Sequence, residues 1–487
     1  MKLISAFIII IGLPMFCYCQ SYDFSIIEHA QEITLNECID KAIKNSKELQ
    51  IKSYTVLQSK FAFERKSAVF DPVLWSNINS NNMNIQAGST LDGVDVLQVN
   101  NVLMKMGVNK LLNSGSYIEF FLSNYYENTN IVNQIMNPLF KTALGINFKQ
   151  SILSRRKKIS TTYKIEVAEA DMQIIKNAYD DAKRKIEKDI KSAFMEFSYC
   201  YNSLVMAKEI LEVVNKLEKT SEKKFELGEI SRYDLSEVKE KILAEQIYYI
   251  DMCKTFKESE IVLKKCMGLE FDDANWKVIF VPSEEFDPSI IEYDPETVYR
   301  KALNNNYEYY RQQKEIKKKE IAMKVAQANN KPVLNAVAGA ELNGMKGNFW
   351  DTYSQIFKSD YYSWQIGIEF SVPIGNTEKL NTYKEAALEL EKARLELKKI
   401  EIDCFSDISI KINNLMSLKE KIDKLQKMGI SAKERVSAMN IKLSKRMASD
   451  NDVLKAIYEM KKVKTRLARA ILENNLIIIE IDALIGE

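Results

Sequence analysis

The chain has 487 residues, of which 46% are hydrophobic and 28% are charged. These values are typical of a folded protein and exclude both a disordered chain and a membrane protein built of many apolar helices. The 69 basic and 67 acidic residues leave a net charge of +2, so the composition predicts no nucleic-acid-binding surface. A single histidine, His29, excludes a multi-histidine metal site and argues against a histidine-based catalytic triad.

The N-terminus has the pattern of a secretory signal peptide over residues 1–19. A basic residue, Lys2, precedes the apolar segment Leu3–Phe16, and Cys17 and Cys19 are small residues suited to a cleavage site. A lipoprotein signal that uses one of these two cysteines is the alternative. The cysteines that follow have neither CxxC nor metal-ligand spacing, so the sequence predicts no disulfide framework, no metal site and no cofactor.

Two parts of the chain resemble each other, which indicates a tandem repeat. Leu35–Leu49 matches Pro295–Tyr309 at a shift of 260 residues, and the same shift aligns Pro72 with Pro332. Later matches fall at smaller shifts because the first copy carries additional residues among its predicted strands. We predict a first repeat over residues 20–268, a linker or equatorial region over 269–294 and a second repeat over 295–487.

Each repeat is predicted to contain a helix, a group of strands and a long helical hairpin. Glycine and proline are scarce, with 15 and 8 residues, and Ser154–Leu227 contains neither. Apolar residues recur in that segment at alternating spacings of four and three, which is typical of a coiled coil. The predicted hairpins cover 154–267 and 378–485, and the predicted strands cover about 73–150 and about 333–375.

The predicted strands alternate large apolar residues with polar or small ones, so that each strand has two unlike faces. The apolar set consists of Phe140, Leu144, Ile146, Phe148, Trp364, Ile366, Ile368 and Phe370. Such segments suit membrane-spanning strands of a β-barrel, in which these residues face lipid, whereas a soluble sheet with one wet face is the alternative. Trp75, Trp350 and Trp364 are candidates for an aromatic belt, with core packing an equal alternative for Trp75.

The turns of the two hairpins hold a repeated motif. Ser231 and Asp234 fit a helix N-cap followed by an acidic third residue, and Ser449 and Asp452 repeat the pattern. Gly228 precedes the first of these caps and suits the end of the preceding helix. The residues alone therefore predict helix capping at both turns.

In this order, and present twice, these features resemble the TolC family of bacterial outer-membrane efflux channels. The residues that carry the resemblance are Leu35, Ala42, Asn45 and Ser46, the prolines Pro72 and Pro332, the motif Gly367-x-x-Phe370-x-x-Pro373, the turn Phe225-x-x-Gly228-x-x-Ser231-x-x-Asp234-Leu235, and the closing Gly268 and Gly486. The resemblance implies a mainly α protein with a transmembrane β part, namely the tandem-repeat protomer of a trimeric channel that combines an α-barrel with a β-barrel.

The resemblance also implies how the strands assemble. Each of three copies would give four strands to one shared 12-stranded barrel, because four strands alone leave open edges that lipid does not tolerate. Val102–Val108 and Tyr117–Tyr126 depart from the family pattern, since they look like an extra hairpin. That hairpin would lengthen the extracellular loops, line the lumen or add strands, so the number of strands stays open at this point.

The function implied by the resemblance is that of an outer-membrane channel of a tripartite efflux or type I secretion system, which passively conducts exported substrates. Its partners would be two further copies of itself in a homotrimer, outer-membrane lipid, a periplasmic adaptor (membrane fusion) protein and an inner-membrane RND, ABC or MFS transporter. The helical part would lie in the periplasm. We find no catalytic constellation and predict that the chain is not an enzyme. A periplasmic coiled-coil adaptor or structural protein without a barrel is the alternative, although it has no use for the alternating strands.

In the family, the hairpin turns form the periplasmic end of the tunnel, where carboxylates narrow and charge the pore and the turns contact the adaptor. Carried over to this chain, the resemblance assigns the pore constriction to Asp234, Asp450, Asp452 and Arg232. It assigns the adaptor contact to Gly228, Ser231, Leu235, Ser449 and Val453. Capping and a pore role are compatible, because a capping carboxylate can still face the lumen.

Overall fold

The structure is a computed structural model that describes residues 30–152, 156–271, 274–284, 291–372, 374–445 and 447–486. The predicted signal peptide over residues 1–19 and His29 lie outside these ranges. The helices are α1 (Leu35–Asn45), α2 (Lys47–Ser67), α3 (Arg156–Glu226), α4 (Arg232–Cys266), α5 (Ala274–Lys277), α6 (Pro295–Asn305), α7 (Tyr307–Asn329), α8 (Phe349–Lys358), α9 (Thr377–Ser444) and α10 (Asp450–Ile485). The strands are β1 (Gln31–Ile33), β2 (Val73–Gln86), β3 (Val96–Leu111), β4 (Tyr117–Thr129), β5 (Leu139–Ser151), β6 (Phe280–Pro282), β7 (Val333–Lys346) and β8 (Tyr362–Ser371).

The chain divides into two compact units. The first unit contains the described residues of Met1–Leu49, Ala182–Lys301 and Ser406–Glu487, and the second contains those of Gln50–Asp181 and Ala302–Phe405. The units do not follow the sequence repeats, because each unit draws segments from both repeats. Residues of the long helices α3 and α9 belong to both units.

The first unit has a core in which the linker is anchored to a helical hairpin. Phe197 of α3 stacks on Phe256 of α4, with ring centroids 5.4 Å apart. Strand β1 pairs in parallel with β6, which comes from the linker. A buried ion pair on α4 holds β6 against that helix. Lys264 lies 2.8 Å from Glu260, and Glu260 accepts a hydrogen bond from the backbone amide of Phe280 at 3.0 Å. Each buried charge therefore has a partner, as burial of a charge requires.

The helix at the start of each repeat is interrupted at equivalent positions. The sequence predicts one helix at the start of each repeat, and this prediction is wrong because a second helix begins at Lys47 in the first repeat and at Tyr307 in the second. The Ser46 hydroxyl accepts the amide of Leu49 at 3.2 Å, and the Asn306 side chain accepts the amide of Tyr309 at 3.0 Å. A polar side chain that captures the amide three residues ahead starts a new helix, which explains both interruptions.

Among the described residues, the second unit contains one antiparallel sheet of six strands in the order β2-β3-β4-β5-β7-β8. The number of strands, which the sequence left open between the four implied by the resemblance and a larger number, is therefore six in this sheet. The extra hairpin β3–β4 is inserted between β2 and β5 and pairs with both. Apolar residues of the two neighbouring strands meet across the β4–β5 pair, where Phe120 pairs with Ile146 and Leu122 with Leu144.

Helix α8 interrupts the segment 333–375, which we predicted as strands. Asn348 caps its first turn by accepting the amide of Trp350 at 3.2 Å. Thr352 and Ile356 are buried and lie four residues apart, which is a helical spacing. No helix in the described ranges is long and apolar enough to cross a membrane.

Candidate functional site

The register of the six-stranded sheet places the apolar residues selected from the alternating pattern on one face, whereas Trp75 and Phe121 lie on the other. Directly paired residues point to the same side of an antiparallel sheet. One row of paired residues crosses the whole sheet, and it consists of Trp364, Ala340, Ile146, Phe120, Val108 and Leu74. The eight residues predicted to face lipid, Phe140, Leu144, Ile146, Phe148, Trp364, Ile366, Ile368 and Phe370, all lie on this face, which we call the apolar face.

Much of the apolar face is uncovered in the single chain. Trp364, Ile366 and Phe370 are 69%, 78% and 63% exposed. A contiguous exposed surface of this kind is unusual on a soluble monomer and marks a region that contacts lipid or another protein.

The opposite face of the same sheet, which we call the polar face, carries cross-strand polar pairs. Asn147 donates to Glu119 at 3.0 Å, and Ser363 donates to Glu341 at 2.8 Å. Lys149 also forms a salt bridge of 2.6 Å with Glu369. We did not single out these residues from the sequence, although they are the alternate members of the same period-two pattern that identified the apolar set.

The three candidate belt tryptophans occupy different positions. Trp364 lies on the apolar face. Trp75 lies on the polar face, where a Cβ on Gly107 would stand 3.1 Å from its indole ring, so close packing of the strands is its structural role. Trp350 lies on α8 and is 76% exposed.

The first hairpin turn combines two helix-end motifs. Gly228 has a φ of +73° and donates its amide to the Phe225 carbonyl at 2.9 Å, while the Glu229 amide donates to Lys224 at 2.8 Å. This pair of bonds satisfies the last carbonyls of α3. At the start of α4, the Asp234 amide donates to the Ser231 hydroxyl at 3.2 Å, and the Ser231 amide donates to the Asp234 carboxylate at 3.1 Å.

The second turn repeats this capping box with nearly the same geometry. The Asp452 amide donates to the Ser449 hydroxyl at 3.2 Å, and the Ser449 amide donates to the Asp452 carboxylate at 3.0 Å. Hydrogen bonds from the Ser449 amide and hydroxyl hold the pKa of Asp452 below its ordinary value, and those from the Ser231 hydroxyl and amide do the same for Asp234. Both carboxylates are therefore charged at neutral pH.

Asp450 is placed differently from the two capping aspartates. Its side chain is 5% exposed and lies 2.8 Å from the ammonium group of Lys224, while Ser221 donates to it at 3.1 Å. Lys224 and Ser221 belong to α3, so this buried cluster joins the first hairpin to the start of α10. The charge of Asp450 is thus balanced within the chain.

A second buried ion pair joins the hairpins further along. Lys461 of α10 lies 2.9 Å from Glu245 of α4, whose side chain is buried. Tyr458 of α10 donates to the Lys241 carbonyl at 3.0 Å. Burial and the neighbouring Glu245 carboxylate raise the pKa of Tyr458 to about 12, so its hydroxyl remains protonated and able to donate.

The residues assigned to the adaptor contact divide into exposed and buried ones. Gly228, Ser231 and Ser449 are exposed, and Leu235 is half-buried. Val453 is buried in a core that α3, α4 and α10 form near the turns, so it packs against these helices and is not available for an adaptor contact. Arg232 is exposed beside the first cap. Exposed apolar side chains also surround the turns, namely Leu227, Tyr233 and Met447.

Within the part of the chain that the structure describes, no group of three or more His, Cys, Asp or Glu residues is arranged to hold a metal ion. No disulfide joins the described cysteines, namely Cys38, Cys200, Cys253, Cys266 and Cys404. Burial raises the pKa of the Cys38 thiol to about 12, which makes it an unreactive core residue.

The chain matches no protein-family model and no curated protein sequence. It does resemble solved structures over nearly its whole length. The Campylobacter jejuni CmeC outer membrane channel is 15% identical, with a TM-score of 0.65 over 93% of this chain and 85% of that chain. The outer membrane protein VceC from Vibrio cholerae is 13% identical, with a TM-score of 0.64 over 93% and 96%. The Neisseria gonorrhoeae MtrE outer membrane channel is 14% identical, with a TM-score of 0.63 over 93% and 88%.

At these identities the comparisons establish architecture. The resemblance that the sequence motifs predicted is confirmed at this level, because these matches cover 93% of this chain. The chain has the TolC-like fold of the outer-membrane channel proteins.

Proposed function

We propose that the chain is the outer-membrane channel of a tripartite efflux or type I secretion system, which passively conducts exported substrates to the exterior. The observation that carries the proposal is the six-stranded sheet with one apolar and one polar face. In a membrane, the apolar face contacts lipid and the polar face lines a water-filled lumen.

The edges of the sheet support assembly from several copies. Strands β2 and β8 are the outer strands of the described sheet, and each has one edge without a neighbour there. Unpaired backbone groups in hydrocarbon cost several kcal/mol each, so a spanning sheet must close. Neighbouring strands alternate in direction, so β8 of one copy runs antiparallel to β2 of the next copy, and this head-to-tail contact closes into a ring.

We propose a homotrimer, following the resemblance to the TolC family. Three copies of a six-stranded sheet would supply eighteen strands to the barrel in place of twelve. Because barrel diameter grows roughly linearly with strand number, this barrel would be wider, in the range where porins leave an aqueous channel. The inserted hairpin β3–β4 accounts for the whole difference.

In this proposal the helical hairpins lie in the periplasm and their turns form the inner end of the tunnel. Asp234 and Asp452 supply the ring of negative charge, since both remain ionised at neutral pH. Asp450 contributes through its buried pair with Lys224, which ties the hairpins together in the closed arrangement. Opening shifts one hairpin against the other and breaks that pair.

The proposed partners follow from the same surfaces. The exposed turn residues Gly228, Ser231 and Ser449, with the apolar side chains of Leu227 and Met447 beside them, would contact the periplasmic adaptor protein. An inner-membrane RND, ABC or MFS transporter would supply the energy, because nothing in the channel itself performs chemistry in this proposal.

Conductance in planar bilayers tests the function and the pore ring together. The purified protein should conduct ions, and Asp234→Asn with Asp452→Asn should reduce its preference for cations while keeping a side-chain oxygen for each cap. The controls Ser231→Ala and Ser449→Ala weaken the caps but keep both charges, so they should leave ion preference unchanged. Absence of conductance would contradict the channel function. Unchanged preference in the asparagine variants would leave capping as the only role of the two aspartates.

The alternative function is a periplasmic coiled-coil adaptor or structural protein, which the long helices α3 and α9 would also suit. Membrane fractionation separates the two. An adaptor is released by mild salt or stays with the inner membrane, whereas the proposed channel stays in the outer membrane until detergent extracts it.

A further inference from the structure

We propose that α8 is an interfacial helix, which lies against the outside of the sheet and inserts Trp350 and Phe357 into membrane lipid. The proposal rests on the proposed function, because it requires the apolar face of the sheet to contact lipid. Helix α8 connects the end of β7 to the start of β8, at the end of the sheet away from α7. In the proposed orientation that end is the outer boundary of the membrane.

The contacts of α8 show that it packs on the apolar face. The Thr352 hydroxyl lies 2.7 Å from that of Thr142, whose neighbours in the alternation are Phe140 and Leu144. The ring of Phe349 meets that of Phe140 edge to face at 6.0 Å. A Cβ on Gly344 would lie 2.2 Å from the Thr352 carbonyl oxygen, so the helix backbone directly contacts strand β7.

Helix α8 also covers polar groups on the apolar face. Tyr353 donates to the Asn124 side chain at 2.9 Å, and Thr142 donates to the same oxygen at 3.0 Å. Polar groups that face hydrocarbon without partners are costly. Tyr353 and Thr352 of the helix therefore give hydrogen-bond partners to Asn124 and Thr142, which would otherwise face hydrocarbon.

The two exposed aromatic residues of α8 lie on one side of the helix. Trp350 is 76% exposed and Phe357 is 85% exposed, and their spacing of seven residues is close to two helical turns. Asp351, Ser354 and Lys358 form the polar side. The apolar side of the helix therefore extends beyond the residues that the sheet buries. This is the pattern of a helix that lies in a membrane interface with its aromatic rings in lipid.

The position of α8 in the sheet favours lipid over a second copy of the chain as the occupant of this surface. The helix packs on β5 and β7, which are inner strands with neighbours on both sides. Contacts between copies in the proposed ring involve the outer strands β2 and β8. Trp350 and Phe357 are exposed, as are residues of the apolar face such as Ile366.

Tryptophan fluorescence in liposomes tests the proposal on the full mature chain. Trp350→Phe and Trp364→Phe are compared with the parent protein, so that each difference spectrum isolates one indole. Brominated phospholipids quench indoles in lipid, and iodide quenches indoles in water. We expect lipid bromines to quench both residues, with bromines near the headgroups most effective on Trp350, and iodide to have little effect on either.

The outcomes separate the two proposals. If Trp364 is quenched from lipid but Trp350 is quenched by iodide, the interfacial helix is ruled out and the channel stands. If Trp350 is shielded from both quenchers, a protein contact covers it and the proposal is overturned. If neither residue responds to lipid bromines, the channel and the interfacial helix both fail. Gly344→Ala should displace α8 and weaken lipid quenching of Trp350, whereas Gly347→Ala should not, since its Cβ would meet its nearest neighbour, the Pro138 carbonyl oxygen, at 3.8 Å.

Discussion

At each hairpin turn, the aspartate of a serine–aspartate pair caps a helix and also carries a negative charge near the turn. In each pair the serine hydroxyl and the aspartate carboxylate satisfy each other's backbone amides. The hydrogen bonds that build the cap also favour the ionised carboxylate. Asp234 is exposed and Asp452 is half-buried, so both charges can act on a passing ion.

Ser449→Ala tests the cap as a structural device. Loss of an N-cap serine costs about 1 kcal/mol, so amide exchange in the first turn of α10 should accelerate roughly fivefold. Because folding lowers the pKa of Asp452, the contribution of its ionised carboxylate is complete above the ordinary carboxylate pKa and disappears as the pH falls through the lowered value. The matched control is Ser444→Ala near the end of α9, where the hydroxyl donates to the Ile441 carbonyl. Equal exchange in the two variants would show that the capping bond contributes no stability.

Lys224→Ala tests the buried pair with Asp450. The variant leaves the Asp450 carboxylate, which is 5% exposed, without its cation. We expect a loss of about 2–3 kcal/mol in local stability. This is the low end of the range for buried ion pairs, because the Lys224 side chain is 27% exposed. Hydrogen exchange over residues 450–457 measures the loss. Lys223→Ala removes a neighbouring exposed lysine and should have no such effect. If both variants behave alike, the pair does not tie the hairpins together.

At the scale of the sheet, adjacent residues on one strand are expected to tolerate charge very differently. Ile366 points to the apolar face and Gln365 to the polar face, so Ile366→Arg should oppose membrane insertion by about 2–4 kcal/mol if it lies near the bilayer midplane. Gln365→Arg should insert normally and shift ion preference toward anions. The readout is the amount of each variant in the outer-membrane fraction. Equal insertion would show that the apolar face does not contact lipid.

Local sequence patterns predicted the elements well where one period dominates. Alternation from Tyr362 to Phe370 was sufficient to place those side chains on one face, because strand geometry alone decides it. The breaks at Ser46 and Asn306 were missed, since a capping side chain competes with a helical pattern that continues on both sides. Helix α8 was missed because the predicted strands ran through Phe349–Lys358, and the contacts that hold the helix on the sheet, such as that of Thr352 with Thr142, join residues 210 positions apart.

Features that depend on packing between distant segments could not be predicted. Asp450 and Asp452 are two residues apart and look equivalent in sequence, yet only Asp450 meets Lys224, which lies 226 residues away. Val453 was assigned to a surface but is buried by side chains of α3 and α4. The resemblance gave four strands per copy, and only the pairing of β3 and β4 with β2 and β5 decided that the additional hairpin joins the sheet.

The proposed channel requires that identical copies of the chain close the sheet into a barrel. The six-stranded sheet of a single chain has an uncovered apolar face, which is unfavourable in water. It also has outer strands β2 and β8, whose unpaired backbone groups are unfavourable in lipid. Three copies would remove every edge at once and bury the apolar face in the membrane.

Native mass spectrometry of the protein extracted from outer membranes in mild detergent tests this claim most directly. We predict a complex of three chains, and the same complex should be missing from the aqueous fraction. A folded single chain recovered from the aqueous fraction, with no trimer in the detergent extract, would contradict the account.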